Sequence, residues 1–449
     1  MSTLQVEYLP PERLRPYHGN ARTHSKKQVK QIANSIERFG FNNPVLVSDD
    51  FEIIAGHGRV AAAKLLGLKQ VPTLRLSGLS PADRRAYILA DNRLAQLAGW
   101  SRDVLAAELQ GLVDVKFDEI EVTGFSLGEI DLILDEAAER NADPPGPEDE
   151  LPASSLQGPA VSRAGDLWVL GPHRLLCGDA RDPRAYQGLL DGQQADLVLT
   201  DPPFNVAIEG NVSGLGRVRH GDFAMASGEM SEGDFIAFLR SFLQLAKENA
   251  KDGAILFVFM DWRHLYELIT ASRAVGLVFK NLVVWAKDNA GMGTFYRSKH
   301  ELVLVFKNGE APHVNTFELG QHGRSRTNIW EYAGVNTFRA GRMEDLAMHP
   351  TVKPTALIAD AIRDVTRRGA VVLDQFAGSG TTIIAAEKTG RHARAVEIDP
   401  RYCDVIVRRW QQYTGKAAQL AGTGLTFEDL EAERLAGTPE PGLPAKRSA

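Results

Sequence analysis

Ala370-Val-Val-Leu-Asp-Gln-Phe-Ala-Gly-Ser-Gly-Thr-Thr382 reads as an apolar strand, a turn built on Gly378 and Gly380, and the start of a helix that Gly390 stops. Glycines at such a βα turn let the backbone pass close to a ligand. Seventeen residues after Gly380, Glu397 ends the next apolar run. An acid at about 20 residues' distance can hold ribose hydroxyls. The third glycine of the dinucleotide fingerprint is replaced by Ile383, and no Gly-Lys-Ser/Thr follows. The turn therefore predicts a nucleoside ligand without a pyrophosphate.

Further short β-rich runs lie upstream and downstream: Asp196–Leu199, Ala254–Val258, Leu282–Trp285, Leu302–Phe306 and Ala395–Glu397. Helical patterns separate several of them, as over Phe235–Ala250. That alternation predicts an α/β fold with a mostly parallel, doubly wound sheet, whose ligands bind at the carboxyl ends of the strands. His349-Pro-Thr-Val-Lys-Pro354 precedes a helix with Leu357, Ile358, Ala361, Ile362 and Val365 on one face. Lys353 thus stands at a helix start just ahead of the glycine turn.

Asp196-Leu-Val-Leu-Thr-Asp-Pro-Pro-Phe204 is a second strand that ends in chemistry. Successive prolines fix φ and donate no amide hydrogen bond. The carboxylate of Asp201 and the carbonyl of Pro202 can then face outward as paired acceptors. An exocyclic amine has two N–H groups for such a pair, and Phe204 offers a face on which a base stacks, worth about 1–3 kcal/mol. Pro203 completes the rigid turn. A Pro-Pro turn alone would be an ordinary strand end; the apolar strand before it and the aromatic after it favour the chemical reading.

The chain has 449 residues, a prior of two or three domains at about 150 residues each. Hydrophobic residues at 44% and a mean hydropathy of -0.20 describe a globular chain rather than a disordered one. No apolar run reaches membrane-spanning length and no secretory leader is visible, so a cytoplasmic setting is expected. Cys177 and Cys403 cannot build a disulfide framework, and the eleven histidines show no metal-ligand spacing, so no metal site is expected. Residues 138–160 hold five prolines and clustered acids and read as a solvated linker. The expected organisation is a small α/β domain over 1–137, the linker, a larger domain over 161–415, and a loosely ordered tail over 416–449. The net charge of -6 disfavours nucleic acid only superficially, because 129–150 alone carries nine acids against one arginine.

Asp-Pro-Pro-Phe, His-Pro-x-x-Lys-Pro and Asp-x-Phe-x-Gly-Ser-Gly-Thr-Thr together resemble the β class of amino-methylating DNA methyltransferases. The resemblance covers about 170–415. It implies a circularly permuted Rossmann-like sheet, S-adenosylmethionine (S-adenosyl-L-methionine) as cofactor, and double-stranded DNA as substrate. It places Lys353, Asp374, Phe376, Gly378, Ser379, Gly380, Thr381, Thr382 and Glu397 around the cofactor, with Asp179 near its adenine. It assigns catalysis to Asp201, Pro202, Pro203 and Phe204. Asp-Pro-Pro with an aromatic accompanies adenine N6 in this family, whereas Ser-Pro-Pro accompanies cytosine N4. The expected activity is therefore site-specific N6-adenine methylation of a flipped-out base, of the restriction–modification kind. Cytosine-N4 methylation is the alternative. A partition-like DNA-binding protein with a degenerate methylase half, and methylation of a protein or RNA amine, are more distant ones.

For DNA contacts, the segment from Trp285 to Met343 holds eight Lys or Arg against five acids. Arg297, Arg324, Arg326 and Asn328 are the candidates there, with Arg217 and Arg219 in the long segment from Asn205 to Gly233. At the N-terminus, Glu52-Ile-Ile-Ala-Gly-His-Gly-Arg-Val-Ala-Ala-Ala-Lys-Leu-Leu-Gly67 resembles the ParB/sulfiredoxin-like domain. In the ParB branch this corner binds nucleotide phosphates, which nominates Gly56, His57, Gly58 and Arg59 and a nucleotide as partner. The branch has Gly-Glu-Arg-Arg where this chain has Gly-His-Gly-Arg. Sulfiredoxin chemistry needs a cysteine at the corner, and none is present. The oligomeric state stays open between monomer and homodimer.

Overall fold

Ser25 opens the first regular helix because its Oγ accepts from Gln28 N at 3.1 Å, and Gly40, at φ 84°, ends it. The computed structural model describes residues 5–115, 117, 119–141, 148–149, 159–205, 228–288, 296–316, 326–333 and 352–436. The chain divides into two compact units, Met1–Ala137 and Ala138–Ala449.

The first unit runs β1 (Val6–Leu9), α1 (Lys26–Phe39), β2 (Val45–Val47), β3 (Ile53–Ala55), α2 (His57–Leu65), β4 (Val71–Arg75), α3 (Pro81–Leu97), α4 (Arg102–Asp114) and α5 (Leu127–Asn141). Its four strands pair in the order β1-β4-β2-β3. β2 and β3 pair as an antiparallel hairpin, turned through Phe51 at φ 61°. Leu14, Val45, Val47, Ile53, Val60 and Val71 fill one core, and Ala106, Leu109, Ile120, Ile130 and Leu134 a second.

The second unit runs β5 (Leu167–Leu170), β6 (His173–Cys177), α6 (Ala185–Leu190), β7 (Ala195–Thr200), α7 (Glu232–Asn249), β8 (Ala250–Met260), α8 (Leu265–Ala274), β9 (Val278–Ala286), β10 (His300–Lys307), β11 (Ile329–Glu331), α9 (Thr355–Val365), β12 (Val371–Asp374), α10 (Thr381–Thr389), β13 (His392–Glu397), α11 (Pro400–Thr414), β14 (Gln419–Leu420) and α12 (Phe427–Arg434). The described strands form one sheet in the order β11-β9-β10-β8-β7-β12-β13-β6-β5-β14. Its centre, β6, β13, β12, β7 and β8, is parallel, while β10 and β5 join antiparallel. This is the mixed α/β, Rossmann-like sheet, with β7, early in the chain, lying beside the late strand β12.

Two-residue periodicity sorts the side chains onto two faces. Val198, Leu256, Val258 and Leu304 meet Phe235, Leu239 and Phe242 of α7 on one side. Leu197, Leu199, Phe257 and Val303 meet Leu357, Ile358 and Ile362 of α9 on the other. The expectation of a loosely ordered tail from residue 416 needs correcting over 416–436. Phe427 is 1% exposed, its ring 5.3 Å from that of buried Trp168, and Thr426 and Asp429 form a reciprocal capping box. Leu425–Leu435 reads as one short helix, which is α12, and its Phe427 and Leu430 pack with Trp168 and Leu170 of β5.

Candidate active site

The two sequence motifs leave neighbouring parallel strands at the same end. Val372 and Leu373 of β12 register with Leu197 and Val198 of β7, and Gln375 N donates to Thr200 Oγ1 at 3.3 Å. Asp201-Pro202-Pro203-Phe204 and the glycine turn therefore emerge side by side, as carboxyl ends of parallel strands do. Pro202 is buried, and Phe204 is half-buried between the clusters of both sheet faces.

Asp201 does not stand alone. Lys353 Nζ donates to Asp201 Oδ2 at 2.5 Å and lies 3.2 Å from Glu301 Oε2, while Lys287 Nζ holds Glu301 Oε1. Asp201 Oδ1 is buried without a hydrogen-bond partner among the described residues. Burial pushes the Asp201 carboxyl up, against the pull of Lys353. Despite burial, Lys353 and Lys287 hold Glu301 down to about 2, so Glu301 is ionised. Lys353 was expected beside the cofactor; its ammonium instead turns to these two carboxylates, and only its carbonyl touches the glycine turn, accepting from Thr381 Oγ1 at 3.3 Å. The physical reason is Coulombic: a lysine leaving water is stabilised by the nearest buried acids.

The turn itself is built on positive φ, 52° at Gly378 and 82° at Gly380. Gly378 N donates to Glu397 Oε2 at 2.8 Å and Asp399 N to Oε1 at 3.0 Å. Thr382 Oγ1 donates to Asp374 Oδ2 at 2.6 Å, and Phe376 N to Oδ1 at 3.1 Å. Phe376 sets its ring edge-on to that of Phe242, 5.0 Å between centroids. Arg409 of α11, fully enclosed, braces the turn from behind, donating to Ser379 O at 2.9 Å and Thr381 Oγ1 at 3.1 Å. Asp374 and Glu397 are both buried, and no described lysine, arginine or histidine forms an ion pair with either. Burial raises them to about 6 and about 7. Such a pocket fits a ligand with hydroxyl donors and a positive charge, and S-adenosylmethionine carries both.

Glu301, Lys287 and Arg409 escaped the sequence reading. A lone acid opening the apolar strand Glu301-Leu-Val-Leu-Val-Phe306, and an arginine within the buried face around Ile406 and Trp410, were the available signals.

Asp179 is turned to Arg181, which donates to Asp179 Oδ2 at 2.7 Å and holds the carboxyl below its usual range. Of the DNA candidates, Arg217, Arg219 and Arg324 lie outside the described residues, as do His349, Pro350 and Thr351. Arg297 is exposed. Asn328 is exposed and donates its amide to Leu282 O at 3.2 Å. Arg326 corrects the expectation of a phosphate donor. It faces inward, with Nε to Asp364 Oδ2 at 2.9 Å, Nη1 to Tyr332 Oη at 2.9 Å, and its guanidinium 5.1 Å over buried Trp330. A cation so paired has little attraction left for phosphate. Asn205 ties together the flanks of the segment after Phe204, its Nδ2 donating to Met230 O at 2.9 Å and its Oδ1 accepting from Gly228 N at 3.1 Å.

In the first unit, Gly56 (φ 105°) caps α2, His57 Nε2 accepts from Tyr17 N at 3.3 Å, and Arg59 Nη1 donates to Asn43 O at 2.7 Å. Gly58 lets α1 approach: a Cβ there would lie 3.0 Å from His24 and Ile32. Burial lowers His57, which favours the neutral imidazole.

Comparison with known proteins matches the two parts of the chain separately. The family model described as DNA methylase matches residues 195–408. Those described as ParB N-terminal domain and ParB-methyltransferase HTH domain match 1–92 and 103–164, the latter running across the segment expected as linker. The chain is 50% identical over 82 residues to the ParB-like nuclease domain-containing protein YnaK of Escherichia coli, covering 18% of this chain and 94% of that protein. It is 24% identical over 252 residues to the type II methyltransferase M.HpaI of Haemophilus parainfluenzae, covering 53% of this chain and 73% of that one. It is 25% identical over 229 residues to M2.DpnII of Streptococcus pneumoniae, covering 48% and 82%. No described helix is long and apolar enough to cross a membrane. With the Asp201 strand end set beside a glycine turn, and the N-terminal unit matched separately, residues 195–408 match the N6/N4 DNA methylase family and the chain carries a ParB-like domain ahead of them.

Proposed function

We propose that the second unit moves a methyl group from S-adenosylmethionine to the N6 amine of adenine in double-stranded DNA. The observation that carries this reading is Asp201 Oδ1, a buried acceptor with no hydrogen-bond partner among the described residues, at a strand end beside the glycine turn. When bound, S-adenosylmethionine supplies a methyl carbon on a positive sulfur that leaves as a neutral thioether. Asp374, Glu397 and the backbone of Gly378–Gly380 are the groups that hold it. Asp201 Oδ1 and the Pro202 carbonyl accept the two amine N–H groups, which turns the nitrogen lone pair out of the base plane. The nitrogen forms its new bond to carbon, and its surplus proton is taken at Asp201 Oδ1. Lys353 keeps Asp201 Oδ2 occupied throughout. Phe204 supplies the stacking face for a base that has left the helix, offsetting the few kcal/mol of order that extrusion costs.

The aspartate of Asp201-Pro-Pro-Phe204 favours adenine over cytosine. Incubating the protein with labelled S-adenosylmethionine and unmethylated DNA, then digesting to nucleosides, is expected to place the label in N6-methyladenine. Label in N4-methylcytosine would change the base and leave the mechanism standing. DNA that gains no label would overturn the reading.

The raised acids of the pocket add a pH dependence. Glu397, near 7, is partly protonated at neutral pH in the free protein. A cationic ligand with hydroxyl donors prefers the carboxylate, so binding releases a proton and tightens as pH rises. Calorimetry is expected to give about five- to tenfold tighter binding of S-adenosylmethionine at pH 8 than at pH 6, with Glu397→Gln flattening the dependence. Binding that weakens with rising pH would contradict this assignment.

A further inference from the structure

Asp201 is one end of a chain of four charges drawn from four separate elements. Its Oδ2 takes Lys353 Nζ at 2.5 Å; that ammonium lies 3.2 Å from Glu301 Oε2; and Glu301 Oε1 takes Lys287 Nζ. Lys287 follows β9 and rests its ammonium 4.5 Å over the Trp285 ring. Glu301 lies on β10, and Lys353 precedes α9, with its ammonium 5.1 Å over Phe259. The side chains of Lys353 and Glu301 are 7% and 16% exposed. Two acids and two lysines alternate in sign, so the set is neutral, which is how charges persist away from water.

The arrangement has a consequence for Asp201. A lysine alone beside a carboxylate is free to move between both oxygens. Here Glu301 stands on the other side of Lys353, and Lys287 in turn holds Glu301. The ammonium is thereby fixed on Oδ2, and Oδ1 stays open. We propose that Glu301, anchored by Lys287, is a positioning residue for methyl transfer, fixing Lys353 so that Asp201 offers Oδ1 alone to the amine. This rests on the methyl-transfer reading and deepens it. Among the described residues, the charged groups facing Asp201 are Lys353, Glu301, Lys287 and, from β12, Asp374.

The sign of the effect follows from these neighbours. Burial raises the Asp201 carboxyl, Glu301 raises it further, and Lys353 and Lys287 lower it. In Glu301→Gln, Lys353 turns wholly to Asp201, and the acidic limb of the kcat profile is expected to move to lower pH by about half a unit to one unit. The plateau kcat should fall about tenfold, because the ammonium then competes for Oδ1. In Lys287→Gln, Glu301 draws Lys353 away, and the limb is expected to move to higher pH. S-adenosylmethionine affinity should be unchanged in both.

The test is the kcat–pH profile of the full chain on DNA for the wild type and both variants, with thermal unfolding as the check on folding. Opposite displacements support the proposal. Displacements in the same direction, or unmoved limbs with wild-type plateaus, overturn it. If Glu301→Gln does not fold, the direction of the Lys287→Gln limb decides. A folded wild type that methylates no DNA overturns the function reading itself, a result distinct from a working enzyme with an unmoved limb.

Discussion

Asp201→Ala is expected to lower methyl transfer at saturating substrates by about a thousandfold, while leaving S-adenosylmethionine affinity and the unfolding midpoint close to wild type. The magnitude comes from loss of a fixed acceptor at the site of developing charge, where removal of one such group costs about 10²–10³ in kcat. The structure also says why the fold should survive. Lys353 keeps Glu301 at 3.2 Å when Asp201 is gone, so no unpaired ammonium is left buried. Asp201→Asn should be nearly as damaging, although it preserves shape. The amide must point its oxygen at Lys353 and its NH2 at the substrate amine, which sets donor against donor. Single-turnover methylation, with calorimetry for the cofactor, separates these effects. An asparagine variant retaining more than about a tenth of wild-type kcat would show that Asp201 is not the amine's acceptor.

Gly380→Ala is expected to cost about 2–4 kcal/mol of stability and to weaken cofactor binding more than tenfold. Gly380 sits at φ 82°, and a Cβ there would lie 2.9 Å from both Cγ1 and Cγ2 of Ile406, which is buried on α11. Left-handed strain contributes about 1 kcal/mol and overpacking about 1–3 kcal/mol. The displacement matters functionally because Arg409, one turn further along α11, bonds Ser379 O and Thr381 Oγ1. Pushing Ile406 outward therefore drags on the turn proposed to hold the cofactor. A double-mutant cycle with Ile406→Ala checks the mechanism, since alanine there removes both clashing carbons. The two substitutions together should cost less than the sum of the singles. Strict additivity, measured by chemical denaturation, would show that the clash is relieved some other way.

Much of the architecture was legible because it is local. Val371–Leu373 is apolar, Gly378 and Gly380 mark the turn after it, and Gly390 ends the helix that follows. Strand, turn and helix are each decided within a few residues. The same holds for Asp196-Leu-Val-Leu199 running into the prolines. Where the signal was a single apolar residue in a polar stretch, as at Phe427, reading along the chain missed the packing partner, Trp168, more than 250 positions away.

The charged residues divide along the same line. The order of residues was enough to nominate Asp201, since its chemistry depends on the prolines beside it. It was enough for Glu397 as well, whose spacing from the glycine turn is set by one helix and the strand after it, α10 and β13. It was not enough for Arg326, which looked like a phosphate donor until Asp364 and Asp360 closed on it. Nor could it pair Lys353 with Asp201, 152 positions away, or set Glu301 and Lys287 behind them. Backbone preferences and short spacings act over neighbouring residues and are present before folding. Which buried charge meets which is decided only when the sheet closes, because there the cost of leaving water forces each ion onto its nearest opposite.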